Sequence, residues 1–344
     1  MRPVLSPAAR RLWRDPQTLQ LGQSTRAAVL CGLDDRTRAA LALLDGTRDR
    51  DQVLLAAAAA GCPPARTALL LDLLDGAGLL EDAGSSLGPL ALLSRLERER
   101  LAADLSSLAL VRGDGGLPAA EHRAGARVLV LGAGRVGGPL AGLLAAAGVG
   151  SVDVLDDGPT APADSGLGGA DLTDVGRSRG QAARERLRDG APSLVPGPLP
   201  RPDLVVLAPA RTELLDDARA LVPTGTPHLL AEVRDTTGVV GPLVLPGRTA
   251  CLRCLDLTRT DLDPDWPALS AQLALPSRVR PACDAPLAVM VAAQAAMQVL
   301  ALVDGTVDPA AAGGTLELAL PDWRWRRRSW RLHPQCGCAL PSAG

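Results

Sequence analysis

The sequence predicts an α/β protein whose main domain is a doubly wound, mostly parallel sheet with helices on both faces. Glycines follow the first predicted strand directly, and strand-like and helix-like segments then alternate. The predicted strands lie at 127–131, 151–155, 203–207 and 228–233, and the helices at 139–147, 184–188 and 212–221. The first 92 residues differ: short strands and short helices predict a small α+β domain of winged-helix type.

The predicted elements of the first 124 residues are set by caps and breaks. Asp34-Asp35 can cap the first helix, which Gly46 ends. We expect a winged-helix-like peptide-binding domain over 1–92, a connecting helix and loop over 93–124, and the main Rossmann-like domain over 125–344. The elements are strands at 18–21, 27–31 and 78–82, helices at 38–44, 51–60, 64–76 and 94–111, and a loop at 113–116.

Composition excludes several classes of chemistry. The 344 residues include no Lys, Ile, Asn, Phe or Tyr, and the net charge is -2 at pH 7. Without lysine there is no P-loop lysine or Schiff base, so an active-site cation must be arginine or a metal. The near-neutral charge predicts no nucleic-acid partner.

The sequence shows neither a signal peptide nor a clear membrane span. The N-terminus has arginines but no apolar run of signal-peptide type. The most apolar stretch, 286–303, is shorter than the ~20 residues of a membrane span and contains Gln294 and Gln298. It therefore predicts a buried helix, and we expect a cytoplasmic protein without a membrane partner.

A glycine-rich turn lies between the strand at 127–131 and the helix that follows it. In this G-x-G-x-x-G segment, Gly132 permits a tight turn, Gly134 lets a phosphate approach the backbone, and Gly137 lets helix pack on strand. Asp156, about twenty residues further on, can accept hydrogen bonds from ribose hydroxyls. These residues predict a Rossmann-like nucleotide site; the alternative is a turn kept only for packing.

Four cysteines predict a metal site in the C-terminal part of the main domain. Cys251 and Cys254 form a C-x-x-C pair, and Cys336 and Cys338 form a C-x-C pair. Two such pairs can surround one structural zinc ion as a closed tetrahedral sulfur cage. The alternatives are unligated thiols and a redox C-x-x-C.

The other cysteines have weaker signals. Apolar neighbours predict that Cys31 and Cys62 are small core residues. Cys283 lies just before the long apolar helix, where a helix N-terminus and Arg280 would lower its thiol pKa and Asp284 would oppose that. Cys283 is therefore a candidate reactive residue, with a bystander role as the alternative.

Tryptophans and arginines alternate near the C-terminus, at 323–331. This pattern is typical of an edge strand whose basic residues face solvent. Binding of an acidic peptide or of phosphates is the alternative. His333 precedes the C-x-C pair and is expected to pack near the metal rather than to bind it.

The glycine turn, Asp156, the two cysteine pairs and the apolar helix between them occur in the order found in the ThiF/MoeB/HesA family, the bacterial relatives of ubiquitin-activating enzymes. The resemblance covers about residues 95–338. It implies a Rossmann-like homodimer that binds ATP and Mg²⁺. It also implies adenylation of the C-terminal carboxylate of a small carrier protein.

The chain departs from the family at the phosphate end of that site. The family's Asn-Leu-x-Arg-Gln segment is replaced by Ser-Gly-Leu-Gly-Gly at 165–169, and its lysine position matches Arg179. The resemblance makes Arg179 the candidate catalytic cation. The family's Asp after the next strand is replaced at 208–210 by Ala-Pro-Ala, and the nearest acids are Glu213, Asp216 and Asp217.

Two functions follow. The first rests on a further resemblance, to degenerate ThiF-like proteins of thiazole/oxazole-peptide pathways that carry an N-terminal peptide-binding domain. It implies a zinc-stabilised scaffold that holds a precursor's leader peptide, as an added strand, for a partner modifying enzyme. The alternative is an active ATP-dependent adenylyltransferase that uses Asp156, Arg179 and an acid from 213–217. A nicotinamide oxidoreductase lacks a candidate acid or base.

Overall fold

The chain was analysed as a computed structural model, which describes residues 1–25, 27–85, 88–191, 193–194, 197–209, 215–275, 282–305 and 307–339. The side chains of residues 89 and 215–217 are outside that description. The chain forms two compact units, Met1–Glu121 and His122–Gly344. The helix predicted as a connector therefore clusters with the N-terminal unit.

The N-terminal unit contains two small sheets and three short helices around one core. Its strands are β1 (Pro3–Leu5), β2 (Arg11–Asp15), β3 (Thr18–Leu21), β4 (Ala28–Leu30) and β5 (Leu80–Asp82). Strands β2, β3 and β4 form an antiparallel sheet in that order, and β1 pairs with β5. The three short helices are α1 (Asp35–Ala42), α2 (Arg50–Ala59) and α3 (Pro64–Gly76); the longer α4 (Arg95–Arg112) follows them, and α5 (Leu117–Gly125) spans the boundary between the two units.

The helix starts follow from their caps. The Asp34 side chain accepts a hydrogen bond from the backbone N–H of Thr37, which confirms the predicted cap of α1. Asp49 and Gln52 form a reciprocal capping box on α2. The sequence analysis missed β1, β2 and α5. The prediction for Cys31 is wrong: it is exposed, because it follows an edge strand of only three residues.

The second unit is built on a seven-stranded sheet in the order β12-β11-β10-β9-β8-β6-β7. Strands β7, β6, β8 and β9 are parallel, whereas β10, β11 and β12 extend the sheet antiparallel. Their bounds are β6 (Arg127–Leu131), β7 (Ser151–Leu155), β8 (Leu204–Leu207), β9 (His228–Arg234), β10 (Thr237–Val244), β11 (Gly314–Ala319) and β12 (Trp325–Ser329). The predicted edge strand is therefore confirmed as β12.

Helices cover both faces of this sheet. They are α6 (Gly137–Ala146), α7 (Arg179–Gly190), α8 (Leu215–Leu221), α9 (Leu252–Leu262), α10 (Trp266–Leu273) and α11 (Ala285–Asp304). Val206 packs into a core with α6 and α11, whereas Val205 and Leu207 pack into a second core with α9. Alternate side chains of one strand point to opposite faces, so this division is the one that a doubly wound sheet requires.

The long apolar helix is α11. In the described part of the chain it is the one helix long and apolar enough to cross a membrane. Leu287, Val291 and Val299 on one face are fully buried in the core beside β9 and β10. The predicted buried helix is therefore confirmed.

Candidate functional sites

The glycine turn has the geometry that its motif requires. Gly132 has a φ of +102°, which L side chains rarely adopt. A Cβ atom at Gly137 would overlap the carbonyl oxygen of Gly132, so α6 starts as close to β6 as backbone allows. Both glycines and Gly134 between them are buried. The turn therefore lets α6 pack closely against β6, and its glycines are buried.

Asp156, the predicted ribose acceptor, already has four hydrogen-bond donors. One carboxylate oxygen accepts from the backbone N–H of Ala133 at 2.9 Å and from Nε of Arg179 at 2.8 Å. The other accepts from the backbone N–H of Gly158 at 3.0 Å and from Nη2 of Arg179 at 2.9 Å. A carboxylate has about four lone-pair positions, so this set fills it.

Arg179, the predicted catalytic cation, is the partner that fills Asp156. Its side chain is 9% exposed and that of Asp156 is 8% exposed. Nη1 also donates to the carbonyl oxygen of Pro159 at 2.9 Å and lies 3.5 Å from a carboxylate oxygen of Asp164. Burial acts to raise the pKa of Asp156, but the bonds from Arg179 and the backbone outweigh it, and the pKa is lowered.

The phosphate end of the site has little charge in its described part. Ala208 and Pro209 follow β8 where the family has its acid. Glu213 lies outside the described residues, as do the side chains of Asp216 and Asp217. The replaced segment at 165–169 lies on the start of α6. A Cβ atom at Gly138 would come within 3.3 Å of Cα of Gly169.

A cavity of about 220 Å³ runs from this turn between α6 and α7. Its lining includes Ala133, Gly138 and Arg179. Neither Asp156 nor Gly132, Gly134 or Gly137 lines it, so its volume does not measure the nucleotide site. The residues present fit ATP poorly because the carboxylate of Asp156 is already occupied by Arg179.

The four predicted metal ligands meet in space. The sulfur atoms of Cys251, Cys254, Cys336 and Cys338 all lie within 4.8 Å of one another. Individual S···S distances are 3.8 Å from Cys251 to Cys254, 3.5 Å from Cys251 to Cys336 and 3.4 Å from Cys254 to Cys338. Zn–S bonds of 2.3 Å in a tetrahedron give S···S edges of about 3.8 Å, so zinc fits this cage.

The surroundings of the cage favour a thiolate at one sulfur, that of Cys254, whereas burial raises the pKa of Cys338 to about 12. The Cys251 thiol donates to Cys254, and the backbone N–H of His333 donates to the same sulfur at 3.4 Å. These bonds lower the pKa of Cys254 to about 4, whereas the pKa of Cys251 is raised. The His333 ring bonds Asp261 at 2.9 Å, so His333 supports the cage through its backbone.

Cys283 lies before α11 and is half-buried. Burial raises its thiol pKa; Arg135 of the glycine turn acts in the opposite direction and Asp284 adds to the rise. The Asp284 carboxylate instead caps α11 through the N–H of Leu287. A raised pKa leaves little thiolate at neutral pH, so this environment does not favour a reactive role.

The three-stranded sheet of the N-terminal unit has two different edges. Strand β2 carries Arg11, Arg14 and Asp15, charges of the kind that protect an edge from pairing. Strand β4 is Ala-Val-Leu and has no charge. An extended peptide can add to such an edge by main-chain hydrogen bonds.

Helix α3 presents an apolar face beside β4. Arg66 donates to the carbonyl oxygen of Gly32, two residues beyond β4, at 2.7 Å. Leu69 and Leu73 follow at i+3 and i+7 from Arg66 and so share its face of the helix. They are 57% and 54% exposed. The leucine spacing alone gave no sign of which leucines are exposed.

Comparison with known proteins shows which family part of this chain resembles. Residues 107–197 match the model of the ThiF family. The chain is a divergent ThiF-like protein. The resemblance drawn from the sequence is thereby confirmed. A search of curated proteins by sequence finds no match.

Solved structures of this fold match nearly the whole chain. E. coli MccB with ATP has a TM-score of 0.75 at 16% identity, over 99% of this chain and 100% of MccB. The microcin C7 biosynthetic enzyme MccB in complex with N-formylated MccA has a TM-score of 0.74 at 16% identity, over 99% and 100%. PaaA has a TM-score of 0.70 at 18% identity, over 94% and 99%. At these identities the likeness shows the fold.

Proposed function

We propose that this ThiF-like chain is a zinc-stabilised scaffold that binds a precursor's leader peptide for a partner modifying enzyme. The proposal includes a winged-helix-like peptide-binding domain over 1–92 and zinc held by Cys251, Cys254, Cys336 and Cys338. It also includes a homodimer that acts in the cytoplasm. The solved complex of MccB, a biosynthetic enzyme, with N-formylated MccA supports a precursor as the partner.

The ion pair between Asp156 and Arg179 carries the proposal. Both groups are needed by a nucleotide, one for the ribose and the other for the phosphates, and here each satisfies the other. Breaking a buried ion pair is unfavourable by about 3–5 kcal/mol. The glycine turn at 132, 134 and 137 then has a packing role, and the described residues of its site supply little of the charge that adenylation needs.

The peptide is proposed to lie along β4. Its backbone would extend the β2-β3-β4 sheet, and its apolar side chains would contact Leu69 and Leu73 of α3. Because alternate side chains of an added strand point to the same side, the two exposed leucines would select peptides with apolar residues at alternate positions. Arg66, on the same face of α3 as these leucines, donates to the carbonyl oxygen of Gly32 just beyond β4, which supports this placement of the peptide.

The second candidate is an active adenylyltransferase, and the match to MccB solved with ATP favours it. In that function Arg179 would leave Asp156 and contact the phosphates, and Asp156 would bind ribose. An acid from 213–217 would hold Mg²⁺. Cys283 has a role in neither function as proposed, because its pKa is raised.

ATP–pyrophosphate exchange separates the two functions. The full chain is incubated with Mg-ATP, labelled pyrophosphate and a candidate precursor or carrier protein. The scaffold hypothesis predicts that the wild-type chain catalyses exchange no faster than the Arg179→Gln variant does. Exchange that requires the carrier and is lost in Asp156→Asn would refute the scaffold.

The peptide site has its own test. Binding of a fluorescent leader peptide is measured for the full chain and for Leu69→Asp and Leu73→Asp. Both leucines are exposed, so folding is affected little, and we expect at least tenfold weaker binding. Leu55→Asp is the matched control, because Leu55 is 73% exposed and lies on α2. Equal binding by all three variants would remove α3 from the proposal.

A further inference from the structure

A cavity of about 520 Å³ lies beside the four cysteines of the cage. Three of these cysteines line it, Cys251, Cys336 and Cys338, together with Arg219 and Arg253. Pockets of about 300–1,000 Å³ hold small organic molecules, so this cavity admits a reagent as small as a peroxide. One side of the cage therefore faces a space that small molecules can enter.

Cys338 is the most accessible of the four cysteines. Cys251, Cys254 and Cys336 are 4%, 0% and 8% exposed, whereas Cys338 is half-buried. A thiol that coordinates zinc is deprotonated, so in the zinc-loaded cage Cys338 would be a thiolate although the pKa of its free thiol is raised. Oxidation of cysteine follows thiolate character and exposure, so Cys338 is expected to be the first sulfur of the cage to react.

The distances between the sulfur atoms indicate which cysteine would react next. The sulfur of Cys338 lies 3.4 Å from that of Cys254, and the sulfur of Cys251 lies 3.5 Å from that of Cys336. The two sulfurs of the C-x-x-C pair are 3.8 Å apart. The shortest of these separations therefore joins the two motifs rather than the two ends of the C-x-x-C pair.

We propose that Cys338 is a site of oxidation by peroxides and that Cys254 is its disulfide partner. The thiolate sulfur of Cys338 attacks one peroxide oxygen, so that an S–O bond forms, the O–O bond breaks and hydroxide leaves. The thiolate sulfur of Cys254 then attacks the sulfur of Cys338, so that the S–S bond forms, the S–O bond breaks and a second hydroxide leaves. The two sulfurs together lose two electrons, and the peroxide gains them.

The arginines of the cavity suit this chemistry. Arg253 is exposed and lies between the two cysteines of the C-x-x-C pair, and Arg219 lines the cavity from α8. Both steps release hydroxide, so negative charge develops on the departing oxygen. A cation at the cavity wall stabilises that charge.

Oxidation would open the cage. The disulfide removes two of four sulfur ligands, so the remaining two are too few to hold zinc in a closed tetrahedral site. The cage connects the start of α9 with the segment that follows β12. The added property is a peroxide-dependent loss of zinc that a thiol reductant reverses. It rests on the zinc cage of the proposed function, but it depends neither on the leader peptide nor on a nucleotide.

The test is treatment of the purified full chain with hydrogen peroxide, after metal analysis of the untreated protein. Zinc release is followed with a colorimetric chelator, and the disulfides formed are mapped by tryptic digestion and mass spectrometry. We expect zinc release and disulfide formation to proceed at the same rate, and a thiol reductant with added zinc to restore the cage.

The arginines of the chain allow each disulfide to be assigned. Trypsin cleaves after Arg253, so Cys251 and Cys254 fall in separate peptides. Cys336 and Cys338 share the C-terminal tryptic peptide, and fragmentation of that peptide distinguishes them. We expect the first product to join Cys254 to Cys338.

Cys338→His and Cys336→His form a matched pair of variants. Three cysteines and one histidine are a common structural zinc set, so both variants should keep the ion. Cys338→His should release zinc at least about tenfold more slowly than the wild type, because the accessible thiolate is gone. Cys336→His should release it at nearly the wild-type rate. Cys31 is exposed and lies outside the cage, so it is an internal control and should be oxidised more slowly than Cys338.

Three results would overturn the proposal. They are a first disulfide between Cys251 and Cys254 or between Cys336 and Cys338, zinc release by Cys338→His at the wild-type rate, and oxidation of Cys31 ahead of Cys338. A purified chain without zinc would refute the cage and this proposal together, whereas a zinc-loaded chain that gives any of the three results would refute only the role of Cys338. The disulfide map needs no variant, so it decides the question even if Cys338→His does not keep zinc.

Discussion

The substitution Arg179→Gln tests whether the ion pair with Asp156 holds in solution. It removes two hydrogen bonds, of 2.8 and 2.9 Å, from a carboxylate that keeps only two backbone donors. Hydrogen bonds to charged groups contribute about 1.5–3 kcal/mol each, and breaking a buried ion pair costs about 3–5 kcal/mol. We therefore expect the free energy of unfolding to fall by about 3–5 kcal/mol.

For a unit of this size the loss corresponds to a melting temperature lower by about 6–20 °C. Thermal unfolding of the wild-type chain, Arg179→Gln, Asp156→Asn and the double variant gives the coupling between the two residues. The double variant should be more stable than Arg179→Gln, since no unpaired charge remains. Arg127→Gln breaks a half-exposed pair with Asp203 and should have a much smaller effect.

The pH dependence gives an independent check. The pKa of Asp156 is lowered in the folded state, so its contribution to stability is present above the ordinary carboxyl pKa of about 3.9 and is lost as pH falls. The difference between the wild type and Arg179→Gln should therefore shrink below about pH 4. A loss under about 1 kcal/mol at pH 7 with no coupling would refute the pair. Asp156 would then be free for ribose.

Three further predictions concern other parts of the second unit. The purified chain should contain one zinc ion in metal analysis. Cys254→Ser should remove that ion and lower the free energy of unfolding by more than about 4 kcal/mol. A wild-type chain that is as stable without metal as with zinc would contradict the cage. Burial lowers the pKa of His228, so stability should fall as pH drops from about 7 to 5, and His228→Leu should remove that slope in calorimetric scans. Arg123 donates to both carboxylate oxygens of Asp304 at 2.7 Å, and both side chains are buried. Asp304→Asn should lower the free energy of unfolding by about 3–5 kcal/mol in denaturant unfolding. A loss smaller than that caused by Arg127→Gln would contradict a stabilising role for the buried pair.

Local sequence signals predicted much of the fold. Strands β6 and β7 have the predicted bounds because their apolar runs end at glycine and at acidic residues. Strand β10 was missed because Gly241 and Pro242 interrupt it, and the structure has a bulge between Val240 and Leu243 at that point. A strand with proline is recognised only from its neighbours in the sheet.

The candidate sites show a different limit. Cysteine spacing predicted the cage because metal ligands must come in chelating pairs, and the four sulfurs do meet. Asp156 was predicted to accept hydrogen bonds from ribose, and Arg179 was predicted to be a catalytic cation. Their separation of 23 residues gave no sign that they would bond each other.

A nucleotide that uses Asp156 must first displace Arg179, and the free energy of that pair is subtracted from binding. At about 3–5 kcal/mol the subtraction equals roughly two to four orders of magnitude in affinity. New contacts from Arg179 to the phosphates can offset it only if Mg²⁺ is also held, and Ala208 and Pro209 offer no ligand for it. In the proposed scaffold the pair would therefore act as an internal competitor for ATP. A scaffold benefits from it, because the carboxyl edge of the sheet keeps its charges neutralised without a ligand.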